Sequence, residues 1–253
     1  KNLLDFLLKQ KPSHFFCVST DKAANPVNVM GGSKKIMENL ILAYSKDIKI
    51  TTARFANVAF SNGSLLDGYI YRILQRQPIS CPSDIKRFFV SPEESGEICL
   101  LACILGNSGD IFFPKLDQNQ MVYFKDITID FFNYLKRNIK ICESEDEAKD
   151  YAVNMTDSSN YPVFFFKTET SGEKLYEEFF TEEDKLDLES YDSLGIIKES
   201  YIPSYENVHK ICDEFKKIFK STNADKSDLI ATMNNLLPNF NHIETGKTLD
   251  QKM

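Results

Sequence analysis

Over its first 117 residues the chain alternates short, solidly apolar runs with segments of helical period, and this rhythm restricts the fold more than any other feature. "HFFCVST", "IKITTARFANV" and "DIFFPK" read as strands. "KNLLDFLLKQKP", "SKKIMENLILAYSK", "SLLDGYIYRILQRQ" and "PEESGEICLLACILG" repeat apolar residues three and four apart, and read as helices. Strands separated by helices of this length build an α/β fold with a largely parallel sheet. "HFFCVST" shows no polar alternation, which suits a central strand covered on both faces.

Beyond residue 117 the rhythm changes. "FKDITIDFFNYLKRN" reads as a helix, followed by an acidic stretch and the apolar run "YPVFFFK". "YENVHKICDEFKKIFK" is an amphipathic helix, and "KSDLIATMNNLLPNF" another that stops near Pro238. The expected organisation is a sheet-based body over 1–117 and a smaller, mostly helical lobe over 118–253. Charge is unevenly spread: residues 143–192 hold sixteen Asp/Glu against four Lys, a net −12, leaving about +5 for the rest of a chain whose total is −7. This balance lacks the basic stripe of a nucleic-acid binder, and the mildly basic remainder suits an anionic substrate. Six Cys form no C-x-x-C pair and only three His are present, so zinc is not expected and the thiols read as reduced and buried. No run approaches the ~18 apolar residues of a membrane helix, so no membrane segment is expected in this chain.

The chemistry concentrates in "STDKAANPVNVMGGSKK", residues 19–35. Ligands of open α/β sheets bind beyond the carboxyl ends of the strands, and Ser19, Thr20, Asp21 and Lys22 directly follow the apolar "FFCV". A hydroxyl, a carboxylate and an ammonium in succession at that edge can act as an acid/base cluster. Spacing alone equally describes an ordinary strand-end turn before a helix. The helix reads from Ser33 with Lys34 in its first turn, and Met30 shares a face with Lys34 if the helix reaches back that far. A Rossmann-type sheet normally opens on a strand, a Gly-rich phosphate turn and a helix, yet no G-x-G-x-x-G occurs here. If the fold is of that type, the chain holds its C-terminal part.

"STDKAANPVNVMGGSKKIME" resembles the active-site segment of the UDP-N-acetylglucosamine 4,6-dehydratases of bacterial polysaccharide biosynthesis, which are extended short-chain dehydrogenases/reductases with the pattern S-T-D-K-A-x-x-P-x-N-x-[YM]-G-x-[ST]-K. The resemblance continues through "ARFANVAFSNGSLL", "IKRFFVSPEES" and "GEKLYEEFF", covering residues 1 to about 195 in order. It departs from the family where R-P-G-E-K becomes Thr170-Ser171-Gly172-Glu173-Lys174 and R-F-G-N-V becomes Arg54-Phe55-Ala56-Asn57-Val58.

The resemblance implies hydride removal from C4 of a UDP-hexose such as UDP-N-acetylglucosamine, elimination of water across C5 and C6, and hydride return to C6. Lys22 is then the base at C5 and Asp21 the acid for the leaving 6-hydroxyl. Lys34 holds the nicotinamide ribose. Met30 stands where most relatives carry tyrosine; a thioether accepts no proton, which leaves Thr20 and Asp21 for the 4-hydroxyl proton. Ser19, Phe55 and Asn57 join Lys34 in contacting the cofactor, NAD or NADP, whose phosphate-binding loop is expected upstream of Lys1. Asn57, Ser64, Arg87 and Glu173 match substrate-binding positions. Read without the motif, Arg87 is a surface arginine and Glu173 one more charge on a solvated acidic helix. The partners implied are a UDP-sugar and a second copy of the chain in a homo-oligomer. The location implied is the cytoplasm, or the membrane surface through upstream residues. Two other readings stay open: a UDP-sugar 4-epimerase, and a non-catalytic partner that keeps the fold.

Overall fold

A computed structural model describes residues 1–156, 159–169, 174–198, 201–237 and 240–243. The first elements are α1 (Asn2–Lys9), β1 (Phe15–Thr20), α2 (Val29–Ala43), β2 (Ile50–Phe55), β3 (Asn57–Val58) and α3 (Leu65–Leu74). There follow β4 (Ile79–Pro82), β5 (Lys86–Arg87), β6 (Phe89–Val90), α4 (Pro92–Leu105), β7 (Ile111–Pro114), β8 (Val122–Tyr123) and α5 (Phe124–Tyr134). The last are β9 (Asn138–Cys142), α6 (Glu145–Asn154), β10 (Asn160–Phe166), β11 (Lys185–Asp187), β12 (Leu194–Lys198), α7 (Tyr205–Lys220) and α8 (Lys226–Leu236). They gather into two units, each discontinuous in sequence: residues 1–56, 93–116 and 177–243 form the first, and 57–92 with 117–176 the second. The passage at 116/117 coincides with the change of rhythm in the sequence, and it is one of four such passages among the described residues.

The first unit is built on a five-stranded sheet of order β1-β2-β7-β12-β11. β1, β2 and β7 run parallel, with Phe15 opposite Ile50 and Thr52 opposite Ile111, whereas β12 is antiparallel to both β7 and β11. Every residue of β2 is buried, because alternate side chains serve opposite faces of the sheet. Ile50 packs with Leu4, Ile41, Tyr44 and Val208 of α1, α2 and α7. Ala53 and Phe55 pack with Ile98 and Ala102 of α4 and with Phe112 of β7. β1 occupies the edge of this sheet rather than its centre, and Val18 is 51% exposed. Of the six residues of β1 only Ser19 is buried, so among the described residues its apolar run is not covered on both faces as a central strand would be.

The second unit holds a parallel three-stranded sheet of order β4-β10-β9. Leu66, Tyr69, Ile79, Cys81, Phe131, Phe132, Tyr161 and Val163 form its core. The two-residue ribbons β3/β6 and β5/β8 complete it. Among the described residues after 117, helices α5, α7 and α8 form as the pattern predicts, the acidic stretch supplies the further helix α6, and five strands accompany them. Most of those strands escape a sequence reading because they are short or, like "NIKIC", interrupted by charge.

Candidate active site

The active-site segment begins where β1 ends. Thr20 closes the strand, Asp21–Ala23 form a single 3₁₀ turn, and Lys22 N donates to Thr20 Oγ1 across 3.4 Å. Asp21 is 3% exposed, and its Oδ1 gathers three shorter bonds. Thr20 Oγ1 donates at 2.7 Å, Lys22 N at 2.9 Å and Lys22 Nζ at 3.0 Å. No bond reaches Oδ2 among the described residues. One oxygen therefore holds the local structure while its twin is left to accept or give a proton. The Lys22 side chain is 30% exposed, so the pair has a buried carboxylate and a reachable amine.

α2 starts four residues earlier than the apolar pattern from Ser33 indicates. Asn28 caps it, with Oδ1 accepting from Gly31 N at 2.7 Å, as short polar side chains do at helix starts. Met30 and Lys34 consequently lie one turn apart on the same helical face. Met30 is 51% exposed. Lys34 is half-buried and has no hydrogen bond or ion pair among the described residues. An ammonium in that position is available to an anionic or hydroxyl-rich ligand.

Behind this segment lies a cluster that sequence reasoning missed. Glu38 of α2 is fully buried and receives Arg54 Nη2 on Oε1 at 2.6 Å and Arg54 Nε on Oε2 at 3.0 Å. Ser19 Oγ donates to Oε2 at 2.8 Å and Lys35 Nζ to Oε1 at 3.1 Å. Burial pushes the Glu38 carboxyl up, but the charge and hydrogen bonds of Arg54, then Lys35 and Ser19, outweigh it and leave the group at about 2. Arg54 also donates Nη1 to the Phe179 carbonyl at 2.7 Å. One carboxylate thus ties α2 to the ends of β1 and β2. The available signal was an acid inside the apolar face of "KKIMENLILA" and an arginine in a strand, each uncomfortable without a partner.

Thr20, Asp21 and Lys22 are brought together as the motif suggests, and Met30 and Lys34 lie on the helix that follows. The side chains of Ser19 and Phe55, expected to face a cofactor, turn inward instead: Ser19 to Glu38, and Phe55, 7% exposed, into the α4 core. In the second unit Asn57 is half-buried and donates its main-chain N to Phe88 O at 3.2 Å. Ser64 caps α3, Oγ accepting from Asp67 N at 3.4 Å. Arg87 is not on the surface. It is 5% exposed, donates Nη1 to the carbonyls of Lys86 at 2.8 Å and Leu175 at 3.3 Å, and lies 5.8 Å from the Phe124 ring centroid. Glu173 lies outside the described residues. Among the described residues no group of three or more His, Cys, Asp or Glu could hold a metal ion, and no helix is long and apolar enough to cross a membrane.

The chain is 28% identical over 203 residues to an uncharacterised membrane protein of Methanocaldococcus jannaschii, which covers 78% of this chain and 55% of that protein. It is 31% identical over 139 residues to the UDP-glucose 4-epimerase of Rickettsia rickettsii, covering 53% of this chain and 41% of the epimerase. Among solved structures, Pen from Bacillus thuringiensis superimposes with a TM-score of 0.61 at 19% identity, over 81% of this chain and 56% of Pen, a likeness of Rossmann-type fold. The chain spans about half the length of the relatives it matches. The family described as polysaccharide biosynthesis protein matches residues 1–199, from α1 through β12, and the chain is a member of it.

Proposed function

We propose that this chain carries the proton-transfer machinery of a nucleotide-sugar 4,6-dehydratase acting on UDP-N-acetylglucosamine or a similar UDP-hexose. The observation that carries the reading is the Thr20–Asp21–Lys22 network at the carboxyl end of β1, with a hydroxyl and an amine both bonded to one buried carboxylate oxygen. Thr20 is half-buried and its Oγ1 donates to Asp21, so in this reading a proton leaving the sugar's 4-hydroxyl passes through Thr20 to the carboxylate. Asp21 then gives that proton to the 6-hydroxyl, which departs as water. Lys22 removes the C5 proton that the 4-keto group has made acidic, and later returns it to C5. Every proton is accounted for: the 4-hydroxyl proton leaves with the water and the C5 proton comes back. Met30 takes no part in this, since its thioether is no base.

Lys34 suits the ribose of a nicotinamide cofactor, because its ammonium has no other partner among the described residues and sits one turn beyond Met30. NAD or NADP, when bound, supplies the acceptor and donor for the hydride that passes from C4 to C6. Asn57, Ser64 and Arg87 are assigned to the UDP moiety by the motif, Arg87 because a guanidinium fork matches the oxygens of a phosphate. Glu173 is assigned there by the motif alone. We further infer cytoplasmic action as a homo-oligomer.

The Rickettsia relative named UDP-glucose 4-epimerase favours a second reading, 4-epimerisation. Epimerisation needs no acid and base at C6 and C5, so the Asp21–Lys22 pair argues for elimination. Incubation with UDP-N-acetylglucosamine and NAD, followed by mass spectrometry, separates the two: loss of one water supports dehydration, and inversion at unchanged mass supports the epimerase. Lys22→Ala should abolish water loss while preserving cofactor binding. Retained dehydration in that variant would remove Lys22 as the base.

A further inference from the structure

Residues beyond 199 lie outside the family match, yet they pack onto the helix that carries Met30 and Lys34. Met233, Leu237 and Phe240 bury themselves against Ile36 of α2 and Ile211 of α7. The two glycines in the first turn of α2 explain how close the approach is. A Cβ on Gly31 would lie 3.1 Å from the Lys22 carbonyl oxygen and 3.3 Å from Pro26 Cα. A Cβ on Gly32 would lie 3.0 Å from Met233 Sδ and 3.1 Å from Phe240 Cε2. One side of this turn thus rests on the backbone that carries Asp21 and Lys22, and the other lies directly beneath the tail. The tail then runs on as a strap: Asn241 N donates to Pro26 O at 3.4 Å and Ile243 N to Val27 O at 3.0 Å.

We propose that α7, α8 and residues 240–243 form a clip on the candidate active-site segment, with Met233 and Phe240 as positioning residues. They press the first turn of α2 onto the Lys22 carbonyl, and so fix Lys34 relative to the Asp21–Lys22 pair. Neither residue touches a reacting atom. The clip is a statement about packing, and only the chemical role of the residues it positions rests on the function proposed above.

Amide hydrogen exchange on the full chain tests it without substrate. Phe240→Ala removes a buried ring from one side of the turn, so amides 29–35 should exchange at least about tenfold faster while those of β2 and β7 keep their protection. Unchanged exchange over 29–35, or equal loss of protection throughout the first unit, would overturn the clip. Gly32→Ala supplies a second test by adding a methyl where Met233 and Phe240 now lie. It should accelerate exchange at the amides of Asn241 and Ile243, and the double variant Gly32→Ala/Met233→Ala should bring protection back toward the wild-type level. Failure of the second change to restore protection would rule out direct contact as the cause. A wild-type protein that shows the exchange pattern but never dehydrates a UDP-hexose would refute the functional reading alone.

Discussion

Glu38→Gln is the most informative single substitution, because it keeps the shape of a buried side chain and removes only its charge. In the folded chain this carboxyl has moved from the ordinary 4.5 to about 2. A fall of that size corresponds to about 3 kcal/mol of stability at neutral pH. Because the folded value lies below the unfolded one, the contribution is nearly complete above about pH 5 and drains away as pH falls toward 2; linkage leaves roughly two-fifths of it at pH 3. The glutamine also strands Arg54, which is 1% exposed and retains Asp184 at 3.7 Å as its nearest remaining carboxylate. Breaking one side of a buried pair costs about 3–5 kcal/mol, so the urea midpoint at pH 7 should fall by roughly 1–2 M. The assay is urea unfolding followed by far-ultraviolet circular dichroism, for wild type and variant, at pH 7 and pH 3. The gap between the two proteins should narrow by about 2 kcal/mol at the lower pH. Equal midpoints at pH 7, or a gap indifferent to pH, would refute the assignment of Glu38 as the charged centre of the cluster. Replacing Glu38 and Arg54 together with leucine and methionine should recover much of the loss, since both fully buried charges are then gone and their remaining partners, Lys35 and Asp184, are partly exposed to water.

Two further perturbations probe the ends of the site. Asn28→Ala removes the cap from Gly31 N and should lower stability by about 1 kcal/mol in thermal unfolding, while Asn28→Asp, which keeps an acceptor, should be near neutral. Equal effects from both would show that the cap does not set the start of α2. Arg87→Met takes the Nη1 donor from the Lys86 carbonyl and leaves the Leu175 carbonyl with Lys86 N alone, and should cost about 1–3 kcal/mol of stability even where no nucleotide is present. A variant of unchanged stability that loses only UDP affinity, measured by calorimetry, would make Arg87 purely a ligand residue.

Much of the site could be read from the sequence because it is local. Thr20, Asp21 and Lys22 are consecutive, so a strand that ends at Thr20 and a turn that follows are enough to bring hydroxyl, carboxylate and amine to one oxygen. The face shared by Met30 and Lys34 needed only the start of a helix, which Asn28 moved upstream of the apolar pattern. Arg87 was misjudged in isolation because its neighbours Phe88 and Phe89 claimed the core, whereas the arginine also turns inward to carbonyls of its own strand and of Leu175, 88 residues away.

The sequence by itself determined the α/β rhythm of the first 117 residues, the active-site turn and the family to which it points, since each depends on residues within a turn or two of one another. Only the tertiary structure decided that β12 returns antiparallel beside β7, that the two units interleave along the chain, and that Glu38 meets Arg54 and Ser19. It also decided that Met233 and Phe240 close on Gly32, some two hundred residues away. Contacts of that kind depend on which surfaces meet once helices and strands have formed, and hydrophobic period shows only that a surface will be covered, not by what.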